Sequence, residues 1–134
     1  MHVLVCGGRN YRDRNQLFSA LDAQHARHPI TLIIHGAAKG ADTLATEWAQ
    51  ARGIRVHAYL ASWKDISHPD ALVKRTRSGK PYDARAGHRR NLKMLEQGRP
   101  ALVIAFRGGS GTADMVRRAH AARVRVVTVA PAQS

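Results

Sequence analysis

What most constrains this chain is an alternation repeated five times. Short runs of apolar, often β-branched residues take turns with longer segments of helical periodicity. The runs are "HVLVC" (2–6), "TLIIH" (31–35), "IRVHAYL" (54–60), "ALVIAF" (101–106) and "VRVVTVA" (124–130). Each has the length and residue type of a strand. They are continuous apolar runs rather than in-and-out alternations, so both faces of the sheet they form must be covered. The segments between them predict helices. Asp13 to Arg27 carries Leu17, Phe18, Leu21 and His25 at helical spacing, and residues 40–53 carry Leu44, Ala45, Trp48 and Ala51. Residues 86–98 place Leu92 and Leu95 inward, and residues 111–124 make the last helix. Strands alternating with helices demand a parallel sheet with right-handed crossovers. The expected fold is therefore α/β. It is a single doubly wound, mostly parallel five-stranded Rossmann-like sheet, order 3-2-1-4-5, with helices on both faces.

Size agrees with one domain spanning residues 1–134. Such a chain can bury roughly two-thirds of its unfolded surface. Aromatic residues are only 5%, so aliphatic packing must dominate the core. One segment breaks the alternation. Ser62 to Asp83 is polar and basic, holds two prolines and has weak periodicity. It reads as a long basic excursion, at about 62–85, with a helical turn near Ala71 and its most basic part at "KRTRSGK" (74–80). A loop this long in a small domain is usually functional or disordered. The closing "PAQS" is expected to fray.

Charge narrows the partners. There are 22 Lys and Arg against 9 Asp and Glu, a formal net of +13. A phosphate ligand, a nucleic acid or an anionic surface would answer that charge. The Arg-rich usage of a GC-rich genome accounts for it equally well. Cys6 is the only cysteine. No intrachain disulfide can form, a closed cysteine zinc site is excluded, and a reducing, cytoplasmic setting is expected. No apolar run approaches the roughly 20 residues of a membrane span, and the N-terminus lacks the features of a signal peptide. The eight histidines have no metal-ligand spacing: His25 and His28 form a helical pair without a third partner, and no HExxH occurs. Neither a metal nor a cofactor is expected. There is no G-x-S-x-G elbow for a serine nucleophile.

The chemistry-bearing pattern is glycine. In open parallel sheets ligands sit beyond the carboxyl ends of the strands, where the strand order reverses. Glycine-bearing loops follow the first, second and fourth strands: Gly7, Gly8 and Arg9; Gly36 to Asp42, with Lys39; and Gly108, Gly109, Ser110, Gly111 and Thr112. Backbone NH groups at a helix start are unpaired and partly positive, and glycines let an anion approach them. Thr112 could instead simply cap its helix. None of the loops is a Walker P-loop, which needs a Lys and a hydroxyl after its last glycine, and G-x-G-x-x-G after the first strand is absent. ATP hydrolysis and nicotinamide redox chemistry are therefore not expected. Arg90 could pair a phosphate bidentately, with Asn91 beside it. Asp42 could hold a ribose hydroxyl or cap the second helix. Trp63 could stack on a base or merely pack. Glu47 reads as a surface carboxylate and Cys6 as a buried structural thiol.

Four motifs together carry a resemblance. "RGGSGTADM" resembles the GGxGTxxE signature of the LOG and lysine-decarboxylase-like proteins, and "AGHRRN" their upstream Arg motif. "CGGRNY" and "HGAAKGADTLA" are similar to the first two loops of the SLOG superfamily, in its YspA, YpsA-related branch, to which the DNA-processing protein A domains are also related. The likeness covers nearly the whole chain except 62–83. It implies a Rossmann-like domain that binds a nucleotide or nucleotide-derived ligand. It also implies one departure. The LOG enzymes release a base from a nucleoside monophosphate with the Glu of that signature, and the matching residue here is Met115. Methionine cannot move a proton, so that role does not carry over.

The expected function is a sensor or ligand-binding module for a nucleotide-derived small molecule. Two alternatives stay open. One is a LOG-like phosphoribohydrolase, an N-glycosidic hydrolase using another carboxylate, Asp42 or Asp114. The other is a nucleic-acid-binding protein of the DNA-processing protein A type. Pairing through helices into a homo-oligomer is also open.

Overall fold

The computed structural model describes residues 1–130. In chain order the elements are β1 (His2–Cys6), α1 (Arg14–Arg27), β2 (Leu32–His35), α2 (Ala41–Ala51), β3 (Arg55–Ala58), β4 (Val73–Arg75), β5 (Pro81–Asp83), α3 (Ala86–Gly98), β6 (Leu102–Ala105), α4 (Ser110–Ala121) and β7 (Arg125–Thr128). Five strands make one sheet in the order β3-β2-β1-β6-β7. Every neighbouring pair in it is parallel. Val3 sits opposite both Ile33 and Leu102, Ile34 opposite His57, and Ile104 opposite Val127. This is the expected order, β6 and β7 being the fourth and fifth apolar runs.

The continuous apolar strands follow from their two covered faces. Successive strand side chains point to opposite sides. Val3 and Val5 pack with Leu17, Leu21, Ile33, Trp48 and Ile104 beneath α1 and α2. Leu4 packs with Ile34, Met94, Leu95, Val103 and Met115 beneath α3 and α4. One polar tie fixes the first layer. The buried Trp48 indole donates to Asp22 Oδ1 at 2.9 Å, and Arg52 grips the same carboxylate at 2.8 and 2.9 Å. His25 accepts from the Ile30 amide at 2.9 Å, which turns the chain from α1 into β2.

Three local expectations need correcting. Leu92 does not face inward: it is 40% exposed, and α3 buries Asn91, Met94 and Leu95 instead. A buried polar residue is part of that inner stripe, which an apolar-only count overlooks. Ala51 is exposed, and Ala49 takes the inner position on α2. The excursion contains no helical turn at Ala71. A single turn bond, Ala71 N to His68 O at 2.9 Å, is followed by an antiparallel hairpin of β4 and β5. The hairpin closes by a turn bond from Gly79 N to Thr76 O and a ladder bond from Thr76 N to Lys80 O, both 2.9 Å, with Gly79 at φ +85°. The expected fraying of "PAQS" concerns residues outside those described. Among the described residues, no helix is long and apolar enough to cross a membrane.

Candidate functional site

The three glycine loops meet at one residue. Gly8, at the end of β1, donates its NH to Arg107 O at 2.8 Å, in the β6–α4 loop. Its carbonyl accepts from Tyr11 N at 3.2 Å and from Ala41 N, at the start of α2, at 3.3 Å. Side chains would prevent this approach. A Cβ on Gly40, which sits at φ +78°, would overlap Gly8 O, and one on Gly108 would overlap Thr112 Oγ1 and reach within 2.7 Å of Gly8 N. Gly7 plays a packing part, since a Cβ there would lie 2.6 Å from that of Ala41.

Beyond this junction the surface opens. Gly108, Gly109, Ser110 and Gly111 are all exposed, and a Cβ at 109 or 111 would meet nothing within 4 Å. Gly109 is the N-cap residue of α4, and no side chain caps that helix. The first intrahelical bond runs from Ala113 N to Gly109 O, so the amides of Ser110, Gly111 and Thr112 lack helical partners. Thr112 therefore does not cap; it lies half-buried one turn in. Arg9 and Lys39 are exposed at the same edge and form no ion pair among the described residues.

The β2–α2 loop is held by buried polar groups. Asp42 is 5% exposed, and its Oδ2 accepts from Gly36 N and Ala38 N, each at 3.1 Å. Its Oδ1 is buried with no hydrogen-bond partner among the described residues. Burial pushes this carboxyl up to about 6, against the pull of the two amides and the Arg90 charge. His35 accepts from Ala37 N through Nδ1 at 2.9 Å, which leaves Nε2 to donate to Thr46 Oγ1 at 2.7 Å. The ring is thus a neutral imidazole. Burial, with the Arg90 charge adding, holds it down at about 4. Ala37 lies in the left-handed region at φ +58°, a conformation that costs a non-glycine residue about 1 kcal/mol or more. Cys6 lies beside this group. Burial first, and then the Asp42 charge, raise its thiol to about 12, so it is no nucleophile.

Arg90 reaches this loop from α3. Its Nη1 donates to Gly36 O at 2.5 Å and, more weakly, towards Tyr59 O at 3.5 Å; its Nε donates to Asn91 Oδ1 at 3.1 Å. Nη2 has no protein partner among the described residues. Burial lowers the guanidinium's pKa, partly offset by Asp42. A Cβ on Gly36 would sit 2.5 Å from Nη1, so glycine there makes room for the arginine. Asn91 is 3% exposed and works inward. Its Nδ2 donates to Gly111 O at 3.1 Å and to Asp114 Oδ2 at 3.0 Å, tying α3 to the first turn of α4. Asp114 also accepts from Arg118 at 2.8 Å. Burial raises its carboxyl, but the Asn91 and Arg118 bonds outweigh that and hold it below the usual range. Met115 is fully buried beneath α4.

The remaining candidates are placed as follows. Glu47 pairs with Arg14 at 2.5 Å on the surface. Trp63 lays its indole over Gly87 at the start of α3 and is still 43% exposed. Arg90 also lines an open polar hollow of about 180 Å³ with Leu60, Ser62, His68, Arg89 and Lys93. A larger hollow, about 450 Å³, lies at the amino edge of the sheet among Met1, Gln24, His28, Pro29 and Arg125. No glycine loop reaches it. The sequence reading missed His35, the Tyr59 carbonyl and the left-handed Ala37. The only available signal was a histidine closing a buried strand directly before a glycine.

Comparison with known proteins agrees with this fold. The family model described as "YspA, cpYpsA-related SLOG family" matches residues 1–65, which hold β1, β2, β3 and the first two loops. The chain is similar to Gene 61 protein of Mycobacterium phage D29, 31% identical over 127 residues and 93% of each chain. Its fold is similar to that of DNA processing protein A from Streptococcus pneumoniae, with TM-score 0.68 and 20% identity over 98% of this chain. The chain spans 50% of that protein's length. With its glycine and arginine motifs gathered on the carboxyl edge of a β3-β2-β1-β6-β7 sheet, the chain belongs to the YspA, cpYpsA-related SLOG family.

Proposed function

We propose that this protein holds a nucleotide-derived ligand at the junction of the three glycine loops, as a binding or sensing module. One observation carries the reading: an uncapped helix start, with open glycines on either side of Ser110, lies where three loops converge on Gly8. The free amides of Ser110, Gly111 and Thr112 would take a phosphate, and the helix dipole favours its charge. Arg9 and Lys39 would add charge from the neighbouring loops. Arg90 would contribute one nitrogen, Nη2, rather than a bidentate clamp, because Nη1 is already committed to Gly36 O. Asn91 would act behind the ligand by fixing Gly111. We read the site as holding rather than cleaving. Met115 is sealed in the core at the position where the resemblance places a carboxylate, and Asp114 is bound into the α3–α4 bridge.

The test is thermal unfolding against nucleoside mono-, di- and triphosphates, cyclic nucleotides and ADP-ribose. A ligand at about 100 times its Kd adds roughly 2.7 kcal/mol, a shift of several degrees. Gly109→Leu should abolish the shift and lower the unliganded midpoint by only a few degrees, since open space accepts the side chain and losing the glycine N-cap costs about 1 kcal/mol. No shift with any nucleotide, or a shift that survives Gly109→Leu, sinks the reading. Free base appearing in the shifted sample would make the protein a hydrolase.

A further inference from the structure

The β4–β5 hairpin has two unlike faces. In the register Val73 opposes Asp83, Lys74 opposes Tyr82 and Arg75 opposes Pro81; the Thr76–Lys80 bond extends it by one pair. Side chains alternate along each strand, and directly opposed residues share a face. Asp83 anchors the face it shares with the exposed Val73, Arg75 and Pro81. It is fully buried, accepts from Leu72 N at 3.1 Å and Arg85 N at 2.9 Å, and pairs with Arg89 of α3. Lys74, Thr76, Lys80 and Tyr82 share the other face, on which Lys74, Thr76 and Lys80 are exposed and Tyr82 is half-buried. Tyr82 sits directly across from Lys74 and two residues from Lys80, about 7 Å along its strand. Arg77 stands at the turn.

No acidic residue occurs from Ala71 to Tyr82, while Lys74, Arg75, Arg77 and Lys80 are all exposed. None of the four is in an ion pair among the described residues. Arg75 Nη1 instead braces the turn by donating to Gly79 O at 2.9 Å. The charge is thus presented outward on a backbone fixed by Asp83, by Asp83 N to Trp63 O at 2.7 Å and by Ala84 N to Leu72 O at 2.8 Å. A ribbon with one half-buried aromatic between two exposed cations matches an unpaired base and its flanking phosphates. In a duplex the bases stack on one another and offer Tyr82 no face.

We propose that the Lys74–Tyr82 face of this hairpin is a docking platform for single-stranded nucleic acid. Tyr82 stacks on a base, and Lys74, Lys80 and Arg77 meet the phosphates on either side. The platform lies in the excursion rather than at the glycine loops, and it does not depend on the nucleotide reading.

The experiment is fluorescence anisotropy of the full chain with a labelled single-stranded DNA about 12 nucleotides long. Binding should weaken steeply between about 50 and 200 mM salt. Replacing Lys74, Arg77 and Lys80 together with Ala should reduce the log–log salt slope by about 2, at roughly 0.7 per phosphate contact on a single strand. Tyr82→Ala should weaken binding about tenfold, while Tyr82→Phe keeps the ring and stays within about twofold. Unchanged unfolding midpoints confirm that the variants keep the fold. Four results would each overturn the proposal: no binding at low salt; an unchanged slope in the triple variant; an unaffected Tyr82→Ala; or equally tight binding of duplex or poly-glutamate, which would reduce the surface to charge alone. Loss of DNA binding in Gly109→Leu but not in the hairpin variants would place the strand at the glycine loops and overturn it as well.

Discussion

His35 ends β2 and Asp42 lies in the first turn of α2, both 5% exposed, and burial moves them in opposite senses. For Asp42 the folded pKa of about 6 lies above the unfolded 3.8. Its contribution is fully present below pH 4 and is lost as pH rises through 6. For His35 the folded value of about 4 lies below 6.5, so its contribution is present above pH 6.5 and lost as pH falls through 4. Each is worth up to about 3 kcal/mol, and between pH 4 and 6 they nearly cancel. Relative to the wild type, Asp42→Asn should gain stability with rising pH across that window, and His35→Gln should lose it. Urea unfolding at several pH values reads this directly; two variants that run parallel to the wild type would refute it. Met115→Glu would restore the carboxylate of the related signature but bury it among Leu4, Ile34 and Val103. We expect a loss of at least about 3 kcal/mol and no hydrolase activity. Met115→Leu should cost under about 1.5 kcal/mol.

At the scale of elements, the excursion is a hairpin hung on one carboxylate. Asp83 satisfies the amides of Leu72 and Arg85 and meets Arg89, so a single side chain joins β4, β5 and α3. Burial pushes its carboxyl up, but those three donors outweigh it and keep it ionised. Asp83→Ala should lower the unfolding midpoint and speed hydrogen exchange at Leu72 and Arg85, with β1 and β6 amides unchanged. Uniform acceleration across the sheet would show that the hairpin is not a separate unit. Hairpin signals were present in the sequence: a glycine-bearing turn, "TRSGK", between "LVKR" and "PYD". They are weak, because Pro81 is unfavourable inside a strand and each strand is only three residues long. The main sheet was legible for the opposite reason. Its three central strands, β1, β2 and β6, are largely apolar because they are covered on both faces, and glycines stand at the ends of α2 and α3.

At the scale of the molecule, a net charge of +13 on 134 residues repels itself in the folded state. Ion pairs offset little of it, since most join partly exposed groups such as Arg14 and Glu47. Raising chloride from about 0.05 to 0.5 M should therefore raise the midpoint, by about 3 °C for each kcal/mol of repulsion screened. A flat or falling midpoint would mean that the charges are already paired or far apart. The same charge is not evenly placed, since the hairpin carries four cations and the glycine edge carries Arg9, Lys39 and Arg107.

The α/β alternation and the glycine loops behind the first, second and fourth strands were legible in the sequence, and the strand order 3-2-1-4-5 was an expectation that the assembled sheet bears out. These follow from periodicity, from right-handed crossovers and from where a doubly wound sheet leaves its crevice, all of which are local or topological rules. Only the tertiary structure decided what each polar side chain near that edge does. It turned Asn91 inward to Gly111, tied one Arg90 nitrogen to Gly36, made His35 a neutral brace and closed residues 62–85 into a hairpin on Asp83. Those roles depend on partners 20 to 54 positions away in the chain for the two α3 residues. Periodicity within one element reports which face is buried, but it cannot report which distant group a buried polar atom will find.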